Sequence, residues 1–273
     1  MRQLMRFLGG SSMLGKLLKN DLKRNMKWMW ILFLSTIMVA GVSRGCKELG
    51  ENIVFFKILS IIFDSVFYSL LVNVILQPFL RNFLNFSKSL YGDESYLTHT
   101  LPVNKNQIIN SKFLTALIEI LLGFATLVIS LVIMFASPTF LSTIEMIISM
   151  IVIGKISVWL VLGLFILLVI VEFLMFLSII FFSIVLAYRA KEKRVLKTFL
   201  FTALMSFLAL TVLSIFMMIV LLANDVNIMS ANLVLSSSAF IGVLITGILV
   251  YSAVIIVFYF LTKKVFRKGV NVD

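Results

Sequence analysis

Long apolar runs decide what this chain can become. Residues 26–43, 58–80, 113–136, 159–188, 198–223 and 235–261 carry almost no charge. A helix needs about 20 such residues to cross the hydrocarbon core of a bilayer. Inside lipid a segment must satisfy its own backbone polar groups, and a helix does so within one segment. The reading is therefore all-α: a multi-pass membrane protein with six transmembrane helices. Hydrophobic residues make up 61% of the chain and charged residues 13%, against roughly 45–50% and 25% in soluble domains. One cysteine excludes a disulfide-stapled secreted domain. One histidine, His99, argues against a zinc hydrolase.

The tract 144–188 is too long for one upright helix at 1.5 Å per residue. Gly154 and Lys155 divide it. Residues 144–158 are expected as an interfacial or re-entrant piece, and 159–188 as one long tilted span.

The net charge of +12 would suit nucleic acid in a soluble protein. Its distribution assigns it elsewhere. All but four of the 24 Lys and Arg fall before the first run, in 81–112, in 189–197 or after the last run. Arg44, Lys47, Lys57 and Lys155 are left for the other side. The positive-inside rule then places both termini in the cytoplasm, in the cytoplasmic (inner) membrane, with no nucleic-acid partner. Splitting the long tract into two spans would put two basic clusters outside.

Residues 1–27 form an amphipathic segment. Leu14, Leu17, Leu18, Leu22 and Met26 follow the spacing of one helix face, while Lys16, Lys19, Lys23 and Lys27 occupy the other. Such a helix lies at the membrane interface, with its lysines toward anionic headgroups. Residues 28–273 form the transmembrane domain. Gly10 to Lys16 matches seven positions of a phosphate-binding loop, but Leu17 stands where the magnesium-binding hydroxyl belongs. The outer loops, 41–53, 137–143 and 224–232, are short, and Cys46 is expected as a lone thiol in the first of them.

The inner connection 81–112 is the most informative. Gly92, Asp93 and Glu94 suit the start of a short helix, since acids favour a helix N-terminus. Pro102 pushes Leu101 toward extended backbone. Asn104, with Gln107 three residues on, has the pattern of an N-cap opening the third span.

Residues 91–112, reading YGDESYLTHTLPVNKNQIINSK, resemble the first inner loop of type-2 ABC transporter permeases of the exporter-like kind. That loop carries an acidic pair, a Tyr-Leu-Thr-x-Thr-Leu-Pro-Val run, then Ser-Lys entering the third span. The likeness in wording covers about residues 14–120. The later half matches only as apolar spans.

The resemblance implies a permease subunit that is not itself an enzyme and holds no cofactor of its own. Two such chains, identical or homologous, would form the pathway. Cytosolic ABC ATPase subunits, with their ATP and magnesium, would power it. The loop would supply the coupling helix that docks on the ATPase. Tyr96, Leu97 and Leu101 would be apolar anchors and Asp93 and Glu94 steering charges. His99 would be a rim contact, with Thr98 and Pro102 in the same docking segment. The substrates implied are amphipathic or antimicrobial peptides, lipids or drugs.

Charged side chains deep in a bilayer are costly and face protein or water. Asp64, Glu119 and Glu172 are expected there. In the second span Ser65, Ser69, Asn73 and Gln77 lead to Arg81, each step advancing about 40° around the helix. Asp64 and Tyr68 are spaced for a hydrogen bond. These residues are candidates to line the pathway or an interface between permeases, with ordinary interhelical polar contacts as the plain alternative. The competing function is an ion-coupled secondary transporter using Asp64, Glu119 and Glu172. In the sixth span Ser238, Gly242 and Thr246 read as a close-packing stripe.

Overall fold

The computed structural model describes residues 2–50, 53–92, 104–135, 138–153, 157–189, 193–224 and 235–267, with 2–12, 138–141 and 149–153 described in backbone only. In chain order its elements are helix α1 (Arg2–Gly50), α2 (Val54–Tyr91), α3 (Lys105–Phe135), α4 (Pro138–Ile151), strand β1 (Val152–Ile153), helices α5 (Val158–Ala187) and α6 (Arg194–Ala223), strand β2 (Leu235–Ser236), and helix α7 (Ser237–Arg267). Six helices are long and apolar enough to cross a membrane: α1 from Met13, and α2, α3, α5, α6 and α7. This is the architecture of a multi-pass membrane protein, with the six apolar runs as its cores.

The helices extend beyond the expected runs. The outer loop expected at 41–53 is helical as far as Gly50. Side chains hold these extra turns: Arg44 Nη1 donates to the Ile133 carbonyl at 2.9 Å, and Lys47 pairs with Asp64. Cys46 is accordingly buried on α1 rather than carried on a loop. Gly50 permits the close approach of α1 to the first turn of α2, because a Cβ there would meet Lys57 backbone nitrogen at 3.0 Å. At the other end of α2, Gly92 closes the last turn of the helix, where a Cβ would lie 2.9 Å from the Lys88 carbonyl oxygen. Asn104 caps α3 as its sequence suggests, its Oδ1 accepting the Asn106 amide at 3.1 Å.

Helix α4, with 14 residues, spans about 21 Å, too short to cross the hydrocarbon core. It starts earlier than the piece expected at 144–158. Strand β1, a feature absent from the sequence reading, pairs in parallel with β2, Val152 against Leu235 and Ile153 against Ser236. Gly154 and Lys155 lie outside the described residues.

The chain divides between α3 and α4 into two compact units. In the first, α1, α2 and α3 pack pairwise against one another. Met26, Met29, Phe33 and Val74 form one apolar layer, and Ala40, Phe67 and Met134 another. In the second, α5, α6 and α7 pack pairwise around Met175, Ile179, Ala209 and Tyr251. Gly242 faces Val220, in keeping with the small-residue stripe. Gly247, outside that stripe, makes the tighter approach, to Leu168 and Met217.

Candidate functional site

The first unit carries a polar cluster at the end where residues 93–103 join α2 to α3, here called its loop end. Helix α1 brings Asp21 and Asn25 to it. They arrive because the apolar stripe of Leu14, Leu18, Met26 and Met29 passes through them, and its helical period turns all of them inward. Asp21 is 8% exposed and Asn25 3%, whereas Lys16, Lys19, Lys23 and Lys27 on the opposite face are exposed.

Three sets of bonds join the three helices in pairs. Asp21 binds α3: Lys112 Nζ lies 2.8 Å from Oδ1, and the Ser111 hydroxyl donates to Oδ2 at 3.0 Å. Arg24 flanks the same carboxylate at 3.5 Å. Asn25 binds α2: Asn85 Nδ2 donates to its side-chain oxygen, and Arg81 Nη1 donates to its carbonyl at 3.2 Å. Asn82 joins α2 to α3, donating to Glu119 Oε2 at 2.7 Å and to the Pro78 carbonyl at 2.8 Å.

Glu119 is fully buried. Asn25 flanks its carboxyl, and the charges of Asp21 and Arg81 reach it. Among the described residues, its Oε1 and the Thr115 hydroxyl one turn earlier have no hydrogen-bond partner. Three buried hydroxyls of the unit return their hydrogens to their own helix: Thr36 to Leu32, Thr126 to Leu122 and Ser130 to Leu127. Glu119 is a different kind of group, an acid bonded between helices.

Below this cluster α2 and α3 come close. Pro78 lacks an amide, so the Val74 carbonyl loses its normal donor within the helix. Gly123 faces that carbonyl, with its absent Cβ only 3.2 Å away.

A second polar belt lies at the other end of the unit. Asp64 accepts from the Ser43 hydroxyl and pairs with Lys47 Nζ at 3.0 Å. Arg44 pairs with Glu48 at 3.1 Å. From Asp21 to Ser43 helix α1 rises about 33 Å, and from Asp64 to Asn85 helix α2 rises about 32 Å. Both match one hydrocarbon thickness of about 30 Å.

The expected site residues fare unevenly. Asp64 is committed to Lys47 and Ser43, and the hydrogen bond expected with Tyr68 does not form; Tyr68 is 49% exposed. The row on α2 winds as a 40° advance requires: Ser65 and Ser69 are exposed, Asn73, Gln77 and Arg81 half-buried. The buried face of α2 is the neighbouring one, through Phe67, Val74, Pro78, Asn82 and Phe86. Glu119 joins the loop-end cluster, while Glu172 sits half-buried on α5 in the second unit. Asp93, Glu94, Tyr96, Leu97, Thr98, His99, Leu101 and Pro102 lie outside the described residues.

Sequence reasoning passed over Asp21, Asn25, Asn82 and Asn85. Asp21 had a visible signal, being an acid on the apolar stripe of a basic helix. Asn82 had one too, four residues after Pro78 on the apolar face.

No protein-family model, curated protein or solved structure matches this chain.

Proposed function

We propose that the chain is the membrane-spanning permease subunit of an ATP-driven ABC transporter of the exporter class, working beside a second copy or homologue. Separate cytosolic ATPase subunits dock on the segment between α2 and α3. The observation that carries this reading is the convergence of helix-to-helix bonds on the two stems of that segment. Asn85 and Asn82 stand two to three turns before it on α2, Ser111 and Lys112 about two turns into α3, and α1 is tied to both stems. A loop on which a motor pulls needs stems braced to the rest of the bundle. The segment is also the one whose wording resembles the family's coupling loop. Both termini are then cytoplasmic, and the substrate is an amphipathic peptide, a lipid or a drug.

Ion-coupled transport is the second reading, favoured by the open oxygen of buried Glu119. It ranks lower because its acids do not converge within the first unit. Asp64 and Asn82, the partner of Glu119, are separated by about 27 Å along α2.

Co-purification with candidate ATPases tests the proposal. A stable complex that hydrolyses ATP, weakened by Tyr96→Ala with Leu97→Ala, supports it. Transport driven by a proton or sodium gradient without any partner refutes it.

A further inference from the structure

Glu119 is fully buried, yet among the described residues no Lys or Arg forms an ion pair with it. Its Oε2 takes the Asn82 amide at 2.7 Å, and its Oε1 is open. The basic residues of the loop end are engaged elsewhere. Lys112, two turns earlier on α3, pairs with Asp21, and Arg24 flanks that same carboxylate. Arg81 of α2 donates to the Asn25 carbonyl and to Gln77. The field of Arg81 reaches Glu119, and the negative field of Asp21 opposes it. A buried charge is ordinarily paired or bound to a metal ion, and Glu119 lies about 10 Å further along its span than Lys112.

Thr115 supplies a second, independent observation. It stands one turn before Glu119, and helical side chains lean toward the N-terminus, so the Glu119 carboxyl leans over it. The Thr115 hydroxyl is buried, with the residue 2% exposed, and it too is open among the described residues. Two open buried oxygens therefore share one face of α3. Asn25 of α1 and Asn82 of α2 stand against the carboxyl from the other two helices.

We propose that Glu119 and Thr115 form a binding site for one monovalent cation, an alkali ion or a proton, inside the three-helix bundle of the first unit. An alkali ion takes Oε1 and the hydroxyl oxygen as ligands. A proton on Oε1 makes it a hydroxyl that donates to the same Thr115 oxygen. Thr115 accepts in both cases, because its own hydrogen can turn to a carbonyl of α3, as those of Thr36 and Thr126 turn to their own helices. Magnesium and calcium do not fit. They take six or more oxygens, and among the described residues no three acidic, His or Cys side chains gather. The inference holds under either reading of function, because a resident cation need not cross the membrane.

The test uses the full chain in lipid nanodiscs and has two arms. In the first, sodium or potassium chloride replaces choline chloride at constant ionic strength, and thermal unfolding is followed by circular dichroism. In the second, the infrared carboxyl region is recorded near neutral pH. An alkali ion raises the unfolding temperature saturably, and Glu119→Gln abolishes the rise. A proton gives a protonated-carboxyl band that Glu119→Gln removes and Glu48→Gln keeps. Thr115→Val, which preserves shape, should weaken alkali binding at least about five-fold, the worth of one polar contact, or shift that band. If Glu119→Gln fails to fold, Thr115→Val carries the test. Stability indifferent to both salts, with no band lost in folded Glu119→Gln, overturns the inference. So does a response that Thr115→Val leaves unchanged.

Discussion

Cutting two ion pairs of the first unit in turn separates buried from exposed electrostatics within one molecule. The loop-end pair, Lys112 with Asp21, is 2.8 Å long with side chains 10% and 11% exposed. A second pair, Lys47 with Asp64, is 3.0 Å long but 39% and 23% exposed. Their lengths are nearly equal, so burial sets the difference. Removing one partner of a buried pair costs about 3–5 kcal/mol, mostly because the other charge stays buried. Asp21 retains the Ser111 hydroxyl and Arg24, which places Lys112→Met at the low end, about 3 kcal/mol. Combining it with Asp21→Asn removes the stranded charge. The double variant should then cost about 2 kcal/mol less than the sum of the singles. At the exposed pair, Lys47→Met and Asp64→Asn should couple by only about 0.5–1 kcal/mol.

The assay is reversible unfolding of the full chain in bicelles with added sodium dodecyl sulfate, followed by circular dichroism. Salt supplies a second axis. At about 0.5 M the screening length falls to a few ångströms, so the exposed pair should lose most of its coupling and the buried pair little. Equal coupling at the two pairs would refute the reasoning. So would single variants at Asp21 and Lys112 that add within about 0.5 kcal/mol.

Gly123→Ala forces a methyl group against the Val74 backbone oxygen and should destabilise by about 1–2 kcal/mol. Gly163→Ala, where a Cβ meets nothing within 4 Å, should be neutral or stabilise by up to about 1 kcal/mol; the same unfolding assay ranks them. In a Cys46→Ser background on intact cells, an impermeant thiol reagent should label Glu48→Cys and spare Lys105→Cys. The reverse pattern would overturn the assigned orientation.

The sequence carried the six helices because lipid makes length and apolarity sufficient criteria. Where a helix ends was harder to read, because tertiary contacts decide it. Residues 44–50 look like a charged loop, yet Arg44 and Lys47 find partners on α3 and α2 and the helix continues. The Asn104 cap was legible because capping is local, and so was the winding of the Ser65–Arg81 row. Asp64 was legible as an acid that faces protein or water but not as half of an ion pair, since its partner Lys47 lies on another helix.

The loop-end cluster shows the same limit more sharply. Asp21 and Lys112 are distant in sequence, and no periodicity links them. What the sequence does hold is a set of spacings. Asp21 to Ser43 on α1 and Asp64 to Asn85 on α2 each measure about one hydrocarbon thickness. Lys112 to Ile133, whose carbonyl takes Arg44, gives the same rise on α3. Each interval alone means little, since polar residues occur all along these helices. Once α1 and α2 are known to run antiparallel, with α3 parallel to α1, the three intervals align into two belts. The partners are then almost forced, because a buried charge in lipid has few other places to go. Pairing, rather than composition, was the missing information, and it is what turns scattered polar residues into a braced set of stems.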